Sequence, residues 1–188
     1  MIVAEQKRKE NVAEYILYMW QIEDTIRALD FDLTRITEYV HEGYRLEKPM
    51  MEKVLLWYLE LADAMKAEGI IEVGHLQQLN DLMDSLQELS GKLLREPTQT
   101  LYSSVYFQTL PSIIQLRDLT GTDQMGEVET CFVGIYGYLT LKARGEEVTE
   151  ATTEAIKQFS TFLAMLADRF REVEEGNLQL SGEEEDEE

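Results

Sequence analysis

The chain has 188 residues, which suits one domain or two small ones. A chain of this length can bury roughly 70% of its unfolded surface without staples. Its formal net charge is −20, which repels nucleic-acid phosphates and anionic lipid. The single cysteine, Cys131, excludes an intrachain disulfide, and no stretch approaches the ~18–20 apolar residues of a membrane span.

The first residues, 1–9, carry charge where a signal peptide needs its apolar run, so a cytoplasmic setting is expected. Part of the charge is local: residues 172–188 hold nine acids and no base. The remainder of the surface is expected to be solvated and acidic.

Seven helices are predicted in chain order. Helix A starts near Val3 or Asn11 and ends at Leu29. Its segment Tyr15-Ile16-Leu17-Tyr18-Met19-Trp20 is apolar on nearly every side, which marks a central helix. Helix B covers about Asp32 to Glu42 and stops at Gly43. Helix C takes Pro49 in its first turn, where the missing N–H costs little, and runs to Glu68. Helix D, about Val73 to Arg95, places Leu79, Leu82, Leu86, Leu89 and Leu93 along one seam.

Helix E opens at Pro97 and runs to about Leu119, with Pro111 expected to kink or split it. Helix F is capped by Thr122 or Asp123 and ends at Gly145. Thr130, Gly134 and Gly137 share one side of it, which predicts close approach of another helix. Helix G follows Thr149, buries Ile156, Phe159, Leu163, Leu166, Phe170 and Val173, and stops at Gly176. The fold class is therefore all-α: a single-domain bundle of six or seven mostly antiparallel helices over residues 1–175. Residues 176–188 are expected to form a disordered acidic tail.

Two Glu-x-x-His pairs use both histidines: Glu38 with His41, and Glu72 with His75. Ferritin-like bundles hold di-metal centres with such pairs. The helical wheel, however, turns Glu38 and His41 towards solvent. Glu72 sits at a helix start, where a carboxylate simply complements the dipole. His75 is in phase with the leucine seam and is expected to be structural, so no metal, cofactor or catalytic residue is assigned. Cys131 is read as a small core residue rather than a nucleophile.

Helix A carries one thin polar line, Glu14, Tyr18, Gln21 and Thr25. Either it fixes helix register or it forms the polar floor of a ligand pocket. Those four residues are the ligand-binding candidates.

The segment 10–24, ENVAEYILYMWQIED, resembles the opening of an uncharacterised all-helical family of Bacteroidetes, a domain of unknown function. The resemblance implies an all-α fold and a cytoplasmic setting, and supplies no activity or site residue. The leading functional expectation is a non-enzymatic interaction or scaffold protein, as a homodimer or with another protein, and without nucleic acid or membrane. A small-molecule-binding bundle with a pocket beside helix A comes second, and a metal-dependent enzyme third.

Overall fold

The computed structural model describes residues 2–180. Among them the chain is all-helical, without a strand. The helices are α1 (Ile2–Glu10), α2 (Val12–Ala28), α3 (Leu33–Gly43), α4 (Lys48–Ala67), α5 (Gln77–Arg95), α6 (Thr100–Thr120), α7 (Glu127–Ala143) and α8 (Glu150–Glu174).

There are eight helices among the described residues, not six or seven. The extra one arises because predicted helix A is two helices. Asn11 leaves the helical path, and its side-chain Oδ1 accepts the backbone N–H of Ala13 at 2.9 Å. This local bond competes with the helix ladder and restarts it, as asparagine does at N-caps. Pro111 does not split α6, which runs through it. The carbonyl of Phe107 loses its donor there, but Phe107 and Pro111 are both exposed, so water can reach it.

The contacts gather into two compact units. The first takes the chain up to Lys9 together with Glu14–Asp81; the second takes Glu10–Ala13 and the described chain from Leu82 onward. The division falls inside α5, after Asp81.

In the first unit α3 packs on α4. Asp32 caps α3 by accepting from the N–H of Arg35 at 2.9 Å. Ile36 and Val40 face inward, and Met51, Val54, Tyr58, Leu61, Ala62 and Met65 form the buried face of α4. Between α2 and α3, Asp30 and Phe31 both take left-handed backbone angles, φ 53 and 55. For a bulky residue such as Phe31 that conformation is strained by roughly 1–2 kcal/mol. The turn still closes hydrogen bonds, from Asp30 N to Arg27 O and from Phe31 N to Ile26 O.

In the second unit α6, α7 and α8 pack on one another. From α5, Leu86, Leu89 and Leu93 are buried, as the leucine seam predicts, whereas Leu82 is only half-buried. Ser90 accepts a buried hydrogen bond of 2.7 Å from the Tyr102 hydroxyl. Thr149 caps α8 by accepting from Thr152 N at 3.1 Å. On α7, Val128, Cys131, Phe132 and Ile135 are buried. The Cys131 thiol is fully enclosed, and burial pushes its pKa well up.

The two interior glycines of α7 differ. A Cβ on Gly134 would lie 2.8 Å from the Phe159 ring and 2.9 Å from Leu116, so this glycine is the close approach of α7 to α8 and α6. A Cβ on Gly137 would meet nothing within 4 Å. Of the predicted tail, residues 181–188 lie outside the described residues. Before them, Gly176 closes α8 at φ +70, and Leu180 is buried.

Alanine substitution separates the two glycines. Gly137→Ala gains helix propensity at an open position and is expected to stabilise by about 0.5–1 kcal/mol. Gly134→Ala gains the same propensity but overpacks the buried Phe159 ring, for a net loss of about 1 kcal/mol. Thermal unfolding of the two variants, moving in opposite directions, checks this.

Candidate functional site

The deepest polar feature of the first unit is Glu23, on α2. Its carboxylate is 0% exposed, on the same helix side as Ile16, Met19 and Ile26. Two groups bond it. The N–H of Leu76 donates to Oε1 at 2.9 Å. His75 Nδ1 lies 2.6 Å from Oε2. Leu76 directly precedes α5, so the carboxylate also lies at that helix's N-terminal end, where the dipole favours negative charge. Against the Glu23 carboxylate, which only accepts, His75 Nδ1 is the donor.

His75 is held in place a second way. Its ring stacks on Trp20, with centroids 4.2 Å apart and planes 11° from parallel. One turn further along α2, Arg27 donates to the carbonyl of Ile70 at 3.3 Å and to that of Gly74, and pairs with Asp24 at 2.9 Å. Its Nε is buried without a hydrogen-bond partner. Glu68 supplies a further cap, accepting the N–H of Gln77 at 2.7 Å. The loop between α4 and α5 is thus tied to α2 by one carboxylate, one guanidinium and one stacked imidazole. The same bonds explain why α5 begins at Gln77 rather than near Val73: the N–H groups of Leu76 and Gln77 are taken by side chains of Glu23 and Glu68.

The structure therefore pairs His75 with Glu23, not with Glu72, which is exposed. Glu38 and His41 are exposed as the wheel predicts. Among the described residues no three His, Cys, Asp or Glu side chains group as a metal-ligand set.

The four ligand-binding candidates separate. Glu14 is exposed and pairs with Lys7 at 2.8 Å. Gln21 is exposed, and its carbonyl accepts the Thr25 hydroxyl at 2.7 Å, so Thr25 is spent on its own helix. Tyr18 alone joins a buried polar group: it shares hydrogen bonding with Tyr44, whose hydroxyl lies 2.9 Å from that of the fully buried Tyr58. Tyr39 packs edge-on against the Tyr58 ring at 6.0 Å. Burial, and then the neighbouring tyrosines, push the Tyr18 and Tyr58 hydroxyls far above their ordinary 10.0.

A groove of ≈ 290 Å³ does open beside the first helices, but α2 gives it Tyr15 and Met19 rather than the polar line. Sequence reading missed Glu23. The available signal was its spacing: Ile16, Met19, Glu23 and Ile26 follow one helical stripe, so an acid there is carried into the interior.

The chain belongs to an uncharacterised family: the model of a domain of unknown function, DUF4924, matches residues 1–177. No curated protein and no solved structure matches it. Among the described residues, no helix is long and apolar enough to cross a membrane.

Two expectations follow from the geometry. Glu23→Ala strands the loop donors and should cost about 3–5 kcal/mol in urea unfolding, whereas Glu14→Ala at the exposed pair should cost under ~1 kcal/mol. Folding raises the pKa of Tyr18 and Tyr58, so the folded state holds more protons above the unfolded value. Stability should therefore be intact below pH ~10 and fall as pH rises beyond it. Ultraviolet phenolate titration should show these tyrosines ionising only with unfolding.

Proposed function

We propose that this family member is a non-enzymatic assembly protein that pairs with a second copy of itself through the outer side of α6. The observation that carries the reading is the surface of that helix. Residues 97–116 contain no Asp, Glu, Lys or Arg, in a chain where 29% of residues are charged. The inner side of α6 buries Tyr102, Thr109 and Ile113. Phe107 is 63% exposed and Ile114 49%, seven residues apart and away from the buried side; Leu101 and Leu119 are exposed on a different flank.

Exposed apolar residues standing singly need no explanation, but Phe107 and Ile114 on one side of an uncharged stretch favour an interface. Electrostatics selects the occupant. Two copies at −20 repel across most of their surface, and the charge-free stretch of residues 97–116 is where they can meet without pairing like charges. A 21-residue helix is about 30 Å long, enough to span an interface of standard size.

Sedimentation equilibrium tests the reading. The wild-type chain is expected at twice its 21.8 kDa mass, and Phe107→Glu with Ile114→Lys at the monomer mass, with helicity unchanged. A wild-type chain that stays monomeric at about 100 μM, a weak dimer by the usual affinity arithmetic, overturns it.

A further inference from the structure

We propose that the groove lined by α1, α2, α4 and Gln78 at the start of α5 is a binding site for a small aromatic monoanion. The groove holds ≈ 290 Å³, at the lower end of the ~300–1,000 Å³ typical of small-molecule sites. Its walls are Met19, Leu61 and the half-buried rings of Tyr15 and Trp57. Two aromatic rings and a thioether favour a flat, polarisable ligand over a branched aliphatic one.

Charge fixes the sign of the ligand. Arg8 and Lys9 line the groove with a single acid, Glu5, so its wall is net positive in a chain of net charge −20. The dipole of α1 favours cations in its last turn, but it does not account for the aromatic walls beside them. Tyr15 keeps its proton, because burial raises its pKa while Arg8 acts the other way, so its hydroxyl remains a donor to an anion. Glu5 on the wall sets the limit of one negative charge: a second on the ligand would meet a carboxylate.

The test titrates 2-naphthoate into the full chain by calorimetry and two-dimensional NMR, beside 2-naphthamide, naphthalene-2,6-dicarboxylate and 2-naphthylmethylamine. The proposal expects saturable 2-naphthoate binding with Kd of about 1 mM or tighter, and shifts concentrated at Tyr15, Met19 and Trp57. The amide, the dianion and the amine should each bind about tenfold more weakly, and added salt should weaken the naphthoate. Arg8→Gln with Lys9→Gln should abolish the preference for the acid over the amide. Should that double variant not fold, Lys9→Gln at an exposed position, together with the acid–amide comparison on the wild-type chain, still decides. No saturable binding, equal affinity for acid and amide, tighter binding of the amine, or shifts centred elsewhere overturns the proposal.

Discussion

A carboxylate taken out of water loses hydration worth several kcal/mol, and only charge and hydrogen bonds arranged in advance can replace it. Glu23 is fully buried, and the first unit supplies those replacements from one short stretch of chain. Leu76 N–H, the His75 ring and the start of α5 all converge on it. Neither bond could be lost without exposing a deficit at Glu23. The carboxylate therefore dictates where the α4–α5 loop ends, where α5 begins and how the His75 ring is turned against Trp20. Arg27 extends the same logic to the loop carbonyls, and its unpartnered Nε shows that the arrangement is satisfied in the main rather than completely.

The second unit is organised differently. Its polar anchors are few and lie where helices begin or cross. Gln87 accepts the N–H of Val128 at 3.1 Å, giving α7 a capping acceptor from outside its own chain segment. Arg117 donates to Thr130 at 3.0 Å and pairs with Glu127 at 3.2 Å, joining α6 to the first turns of α7. Between these points packing is apolar and close, with Gly134 admitting the Phe159 ring. Charge is kept off α6 almost entirely, which leaves this unit with an outward surface that the acidic remainder of the chain does not repeat.

Most of the helix pattern was legible because it rests on local rules. Thr149 and Asp32 cap as their chemistry predicts, and Pro49 sits in the first turn of α4. The predicted stripes are buried in part: Leu79, Leu86, Leu89 and Leu93 of α5 and Phe159, Leu163 and Leu166 of α8 are buried, whereas Leu82, Ile156, Phe170 and Val173 are half-buried. The eighth helix was missed because Asn11 is equally at home as a polar residue inside a helix or as a restart of one; only the bond to Ala13 decides. The polar line of α2 was visible on the wheel, but a wheel cannot say which partners cover it. Lys7 and solvent take Glu14, whereas Tyr44 and Tyr58 take Tyr18. The burial of Glu23 was signalled by its stripe, but what satisfies it was not legible, for the same reason. Its partners lie more than fifty residues away, and no local pattern announces that a histidine and a backbone amide will meet a buried acid.

The single thiol of Cys131 sits sealed in α7 with its ionisation suppressed by burial. A thiol reagent can reach it only when the second unit opens, because the thiolate is the reacting species and the closed state offers neither thiolate nor access. The rate of that reaction therefore reports the opening equilibrium of one unit alone, since the rest of the sequence contains no cysteine to compete. The molecule thus carries its own clock for local unfolding, readable without introducing a label or disturbing a side chain.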